Sequence, residues 1–317
     1  MTTSLKKLLL GEQGLVVIFA AALLVVSLTV PNFLTERNML GLLQSVVTIG
    51  VVSCTMMFCL ASRDFDLSVG STVAFSGMVA VMASNATGSI VLGLLAALAC
   101  GAIVGVANGI VIARFRINAL ITTLATMQIV RGFGLIASNG RAVGINDPAF
   151  YQLSLSKFLT VPTPIWVMVA FFIVFGFLLN RTVFGKNTLA IGGNPEASRL
   201  AGVDVARTRI WIFALQGLVC AVAGILLASR ITSGQPNAAI GLELSVISAC
   251  VLGGVSLAGG RATMTSVVVG VLIMGIAENV MNLLNIQAFY QNVVRGLILL
   301  IAVLLDNLRS VAGRPRG

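Results

Sequence analysis

The chain has 317 residues, 58% hydrophobic and 9% charged, with 20 Lys and Arg against 10 Asp and Glu, and its mean hydropathy is +1.04. A soluble domain carries about a quarter charged residues, so this composition excludes a water-facing globule and calls for one α-helical, polytopic membrane domain over residues 1–317, embedded in a lipid bilayer. The net charge of +10 is scattered between apolar runs and not gathered on one soluble face, which argues against a nucleic-acid partner, and the absence of histidine removes His-based acid–base, triad and metal chemistry.

Lys6 and Lys7 precede the first apolar run, 15–30, and no small-residue cleavage site follows it, so that run reads as an uncleaved first span. Charges, prolines and Gly-Asn clusters bound nine further runs at 39–61, 69–86, 89–113, 119–137, 164–180, 209–229, 243–258, 264–284 and 288–305, about ten spans in all. Short connections predict antiparallel hairpins for the third with the fourth and the ninth with the tenth. Gly253, Gly254, Gly259 and Gly260 crowd the end of the eighth. Cys54, Cys59, Cys100, Cys220 and Cys250 all fall inside apolar runs without metal-ligand spacing and read as packing residues. Gly93, Ala97, Gly101, Gly105 and Gly109 recur at every fourth position and predict close approach by another helix. Gly132, Gly134 and Ala137 fit G-x-G-x-x-A, but inside an apolar helix with no preceding strand, and no G-x-x-x-x-G-K-[ST] loop occurs. The chain has no motor of its own by that route.

With ten spans and the N-terminus inside, Lys6, Lys7, Arg63, Arg114, Arg116, Arg181, Lys186, Arg199, Arg207, Arg209, Arg261, Arg309, Arg314 and Arg316 fall on the inner side. Arg37, Arg141, Lys157 and Arg230 fall outside, and Arg131 and Arg295 within spans. The positive-inside rule favours that orientation, with both termini cytoplasmic.

The longest inner loop, 181–208, is too hydrophilic to be buried and longer than a connection needs, so it reads as a docking loop. Within it a two-turn helix is predicted over 194–202. Asn194 is its N-cap, Pro195 its N1, Glu196 lies against the positive dipole end and Gly202 is the stop. Ala197, Leu200 and Ala201 share one face, with Arg199 beside them. Such a helix suits a groove on a soluble partner, the alternative being a helix lying on the bilayer surface.

This segment resembles the coupling helix by which ABC importer permeases engage their ATPases, and its place between the sixth and seventh spans is similar to that in the vitamin B12-type (type II-like) importers. From Phe33 to Leu305 the chain resembles the permeases of bacterial monosaccharide importers of the ribose, xylose and arabinose type. Its marks are Asp66-Leu67-Ser68-Val69-Gly70-Ser71, Thr122-Thr123-Leu124-Ala125 with Arg131-Gly132, Gly192-Gly193-Asn194, and Gly253-Gly254-Val255-Ser256-Leu257-Ala258-Gly259-Gly260. The segments Cys59 to Asp66, Ile117 to Gly132 and Glu278 to Leu284 are most similar to the L-arabinose branch. The resemblance implies an inner-membrane permease acting as a homodimer with ABC ATPase subunits and a periplasmic sugar-binding protein. It also implies that this chain binds no cofactor or metal, ATP and Mg being held by the ATPase.

Charged groups inside spans are functional candidates by default. Arg131, Glu278 and Arg295 lie at one depth on three helices, so Glu278 could pair with either arginine, for packing or at the outer mouth of the path. Glu278 is the only acid deep in a predicted span. Asp64 and Asp66 flank the start of the third span as helix caps, or as a gate or ATPase-side contact. Gln44, Asn108, Thr122, Thr126, Gln128, Gln216, Asn279 and Asn282 supply hydrogen bonds inside spans, as interhelical glue or along a sugar's route. Other readings are an ion-coupled secondary transporter, which would need acids near the midplane and broken helices, and a branched-chain amino-acid ABC permease. No catalytic pair marks an enzyme.

Overall fold

The computed structural model describes residues 12–312 and is almost wholly helical. The elements are α1 (Glu12–Thr29), α2 (Glu36–Ser45), α3 (Val47–Ala61), α4 (Val69–Thr87), α5 (Ile90–Ala113), α6 (Ala119–Ser138), α7 (Pro148–Leu155), α8 (Thr163–Arg181), α9 (Val183–Gly193), α10 (Pro195–Leu200), α11 (Val205–Arg230), α12 (Leu242–Gly253), α13 (Met264–Leu283) and α14 (Ala288–Ala312). Two short antiparallel pairs join β1 (Val143–Gly144) to β4 (Ser233–Gly234) and β2 (Lys157–Phe158) to β3 (Val161–Pro162). Among the described residues α4, α5, α6, α8, α11 and α13 are long and apolar enough to cross a membrane, and α2 with α3 makes a seventh if that bent pair is one span. The expected 39–61 span is thus broken by 42° around Val46. There the Ser45 hydroxyl donates to Leu42 O at 2.8 Å, inserting a side chain beside the ladder.

Of the about ten predicted spans, six or seven are thus long and apolar enough to cross among the described residues. The remaining apolar stretches, Phe19–Thr29, Leu242–Gly253 and Ala288–Leu304, are shorter. The eighth run stops at Gly254, whose φ of +105° ends α12. At 1.5 Å per residue α12 reaches about 18 Å, well short of a ~30 Å hydrocarbon core. Local chemistry sets the other ends: Asn118 accepts from Leu120 N at 2.8 Å, Asp147 from Ala149 N at 2.8 Å and Asp204 from Arg207 N at 2.9 Å.

The closest helix packing is among α4, α5 and α11, while α3 is buried along its whole length in the core. Gly101 backs onto Gly217 O, Gly105 onto Phe213 O, and a Cβ on Gly109 would lie 2.8 Å from Ile210 Cα, so the predicted small-residue stripe is where α5 meets α11. Gly93 of the same stripe meets α4 at Ala80 and Ser84. Backbones this close exchange dispersion contacts that larger side chains would forbid. The α4–α5 hairpin forms as expected. The α13–α14 hairpin does not pack closely: α14 lies along α12 instead. Cys54, Cys59, Cys220 and Cys250 are buried and Cys100 half-buried, all as free thiols.

Candidate functional site

One end of the bundle gathers the residues expected on the inner side. The end of α5, the starts of α6 and α11, the α3–α4 connection and α10 together enclose a cavity of about 820 Å³ whose walls include Arg63, Arg116, Asn118, Glu196, Arg199 and Arg209. Lys6, Lys7, Arg314 and Arg316 lie outside the described residues, as does the side chain of Arg309. The loop between α8 and α11 is more structured than its hydrophilicity predicted, since α9 fills Val183–Gly193. Asn194 then caps α10, accepting from Glu196 N and Ala197 N at 3.0 Å each. Gly202 follows at φ +87°. Glu196 and Arg199 pair at 2.6 Å. Hydrogen bonding to Arg199 holds the Glu196 carboxyl below its usual range and raises Arg199 in return. Ala197, Leu200 and Ala201 are all exposed, Leu200 at 77%, so the expected apolar face stands uncovered on this chain.

Arg63 ties this end together, donating through Nε to Ala258 O at 2.7 Å and through Nη2 to Gly193 O at 2.8 Å. Gly192 packs on Ala61 O, and Gly260 N donates to Ala61 O at 2.9 Å. The Gly-Gly marks at 192–193 and 259–260 therefore meet in a close backbone crossing, where a Cβ on Gly192 or Gly259 would intrude, while Gly193 has open space.

Asp64 caps no helix. Its Oδ2 pairs with Arg209 Nε at 3.0 Å and accepts from Ser62 Oγ at 3.2 Å. Burial pushes its carboxyl up, and Arg209 and then Ser62 oppose that. Asp66 accepts from Ser68 N at 2.8 Å and from Ser68 Oγ, so it fixes the turn before α4 and does not cap the helix proper. Asn108 Nδ2 donates to Ser68 Oγ at 3.1 Å, and Thr126 Oγ1 to Asn108 Oδ1 at 2.6 Å. A buried chain of hydrogen bonds thus runs from α6 through α5 to Asp66, whose carboxyl burial raises to about 6 against the two Ser68 bonds. Thr122 bonds back to Asn118 O at 3.0 Å, Gln216 is sealed between the Cys59 and Cys220 thiols, and the backbone of Gln44 accepts from Arg230 at 2.9 Å. Gln128 is exposed on α6.

Towards the other end, Arg295 Nε lies 3.0 Å from Glu278 Oε1. Arg131 takes no part in that pair; its Nη1 donates to Pro236 O and to Ala238 O, the latter at 2.9 Å. Asn279 exchanges reciprocal amide bonds with Asn38 at 2.8 and 3.0 Å, and Gln291 donates to Asn282 Oδ1 at 2.9 Å. The structure therefore separates most of the sequence-predicted positions into three groups: the 181–208 loop, the Asp66 network with Thr126, and the Glu278–Arg295 cluster with Asn279 and Asn282, with Thr122, Gln128 and Arg131 outside all three. It does not bring them into one pocket.

The sequence reading missed the Arg131 partner. Residues 231–241, read as a loop outside the bilayer, run alongside α4: Gly234 lies against Met78 and Ala239 O against Gly70. Glu243, expected at the outer edge of a span, has its Oε2 over Gly70 in the first turn of α4. Glu278 is then not the only acid within the depth of the bundle. The signal available was the pairing of Pro236-Asn237 and Gly241 with an apolar run too short to span.

Residues 38–303 match the family described as branched-chain amino acid transport system / permease component. The chain is 56% identical over 303 residues to the L-arabinose transport system permease protein AraH of Escherichia coli (strain K12), covering 96% of this chain and 92% of that protein. It is 54% identical to the L-arabinose ABC transporter permease protein AraH of Azospirillum brasilense, with 95% and 89% covered. It is also 40% identical to the ribose import permease protein RbsC of Bacillus subtilis (strain 168), with 90% of each chain covered. No solved structure matches significantly.

Proposed function

This chain belongs to the branched-chain amino acid transport system / permease component family, and from that premise we propose that it is the membrane subunit of an ATP-driven importer carrying a monosaccharide, L-arabinose, across the bacterial inner membrane. The observation that carries the assignment is the 54–56% identity to two L-arabinose permeases over nearly the whole chain. The chain works with an ABC ATPase and a periplasmic sugar-binding protein, and ATP with Mg is held by the ATPase. A second copy completes the channel. With α1, α2–α3, α12 and α14 counted beside the six long helices, the architecture is the ten-span, vitamin B12-type arrangement in one domain, with both termini cytoplasmic.

Residues 181–208 dock the ATPase. The exposed face of Ala197, Leu200 and Ala201, with Asn194, Glu196, Arg199 and Gly202 shaping the helix, supports that role. An equilibrium between two states moves only if a partner binds them differently. The α10 helix is the place where ATP-driven closure of the ATPases could supply that difference. Asp66, Thr122, Thr126, Gln128, Arg131, Glu278, Asn279, Asn282 and Arg295 line or brace the path, Gln128 being the member whose exposure most directly supports contact with solute.

The test is uptake of labelled L-arabinose by proteoliposomes holding the permease, its ATPase and the binding protein. ATP-dependent accumulation is expected, and its loss in Glu196→Lys/Leu200→Asp together with failed ATPase co-purification. Normal co-purification and transport in that double variant would sink the docking role. Uptake driven by an ion gradient without the ATPase would overturn the assignment itself.

A further inference from the structure

The stretch between β4 and α12 runs inside the depth of the bundle without being helical. Gly234 sits against Met78, the middle residue of α4, and Ala239 O reaches Gly70 in the first turn of that helix. Because α4 is long and apolar enough to cross the membrane, residues 234–239 lie at bilayer depth. Non-helical backbone there is tolerated only where it is buried in protein or lines a water-filled cavity. One side is buried: Pro236 packs inward, and Arg131 holds the carbonyls of Pro236 and Ala238. The other side is open, with Gln235, Asn237 and Ile240 all exposed and Ile240 at 69%. Gln235 spends one amide bond on Ser233 Oγ at 3.2 Å, and Asn237 makes no hydrogen bond among the described residues. On the neighbouring helix the exposed Gln128 precedes Arg131 by three residues, one turn away on the same face.

We propose that residues 235–241 line the water-filled solute path and that the amides of Gln128, Gln235 and Asn237 form a contact point for a neutral polyhydroxylated solute. An amide offers donors and an acceptor at once, the complement of a sugar hydroxyl. A zwitterionic amino acid would call for a cation and an anion at the contact, and the three amides of Gln128, Gln235 and Asn237 carry no charge. The inference rests on the proposed sugar-permease function and sharpens it, setting a sugar against the branched-chain amino acid in the family's description.

The test is Asn237→Cys in the assembled importer in proteoliposomes, with the wild type as background for the native thiols. A charged, membrane-impermeant methanethiosulfonate should label the variant at least tenfold faster than wild type. Millimolar L-arabinose should slow that labelling several-fold and leucine should not. Asn237→Ala should lower sugar moved per ATP hydrolysed about tenfold, with Asn237→Gln restoring most of it. Labelling no faster than wild type, with and without ATP, would overturn the lining role, the segment then being covered by a second copy. Labelling slowed equally by leucine, or Asn237→Ala transport at the wild-type ratio, would overturn the polyol contact. Wild-type uptake judges the proposed function separately, since labelling needs no transport.

Discussion

Removing one partner of the Glu278–Arg295 pair should destabilise the permease, and only one of the two candidate swaps should restore it. At 3.0 Å and an effective dielectric of ~20 the Coulomb term is about 5 kcal/mol. The side chains are 14% and 33% exposed, respectively, so screening reduces this to roughly 2–3 kcal/mol, below the 3–5 kcal/mol typical of breaking a fully buried pair. At about 2 °C per kcal/mol for a chain of this size, Glu278→Gln should melt roughly 5 °C lower in detergent. The double variant Glu278→Arg/Arg295→Glu should recover at least half of that loss. Glu278→Arg/Arg131→Glu should recover none, because Arg131 is bound to the carbonyls of Pro236 and Ala238. The assay is the midpoint of thermal loss of the monodisperse peak in size-exclusion chromatography of a fluorescent fusion. Recovery by the Arg131 swap, or an unshifted Glu278→Gln, would refute the pairing.

Asp66 has its carboxyl raised from 3.8 to about 6, so the fold favours its protonated form, and the stability this gives is full below 3.8 and lost as pH rises towards 6, about 3 kcal/mol in total. The melting temperature of Asp66→Asn relative to wild type should therefore climb between pH 4 and 7; a flat difference would contradict the burial argument. Asn194→Ala removes the acceptor of two 3.0 Å bonds and should cost α10 about 1 kcal/mol, read as several-fold weaker ATPase co-purification with the thermal midpoint of the permease unchanged. Gly217→Val places side-chain atoms on Gly101 O and the Gly105 backbone and should cost 1–3 kcal/mol or more, measured as a lowered melting midpoint, whereas Gly132→Ala, which meets nothing within 4 Å, should leave it unmoved.

Much of this structure is written locally. The periodicity of small residues named the α5 face where another helix comes close, because a small residue every fourth position leaves room for a backbone along that stripe, α11 at Gly101, Gly105 and Gly109 and α4 at Gly93. Asn194, Pro195 and Gly202 announced α10 because capping is decided within a few residues. The break at Val46 and the short α12 were not legible in hydropathy: both lie inside apolar runs, and a window average registers composition without registering whether the backbone stays helical. The fate of Arg131 was hidden for a related reason. Its partners are carbonyls, which every residue carries, so no sequence pattern marks them. Asp64 read as a cap, or as a gate or ATPase-side contact, from its position before α4, and its observed partner is Arg209, 145 positions downstream. Distance in sequence defeats inference wherever a charge has several candidate partners at the same depth.

The α10 helix, the proposed ATPase dock, and the 235–241 segment lie at opposite ends of a short series of direct contacts. Asn194 N bonds back to Ala190 O at 3.0 Å while its side chain caps α10, so a single residue ties α10 to the end of α9. The end of α9 is held by Arg63, which in the same side chain grips Ala258 in the loop following α12. Asp306 of α14 accepts from Leu257 N at 3.1 Å, adding a second hold on that loop. The α12 helix has no lateral freedom either, since Gly253 backs onto Ser266 of α13 and Gly270 onto Ala249. A displacement of α10 would then be passed to α12 as a rigid body, and through it to the 235–241 lead, which Arg131 holds at two carbonyls. A bundle whose contacts are glycine crossings and bidentate carbonyl grips is bistable more readily than it is compliant. Arg63→Ala cuts the one side chain common to both grips, so it should leave ATPase binding through α10 intact while lowering sugar moved per ATP hydrolysed; equal loss of both would place Arg63 in docking and not in transmission.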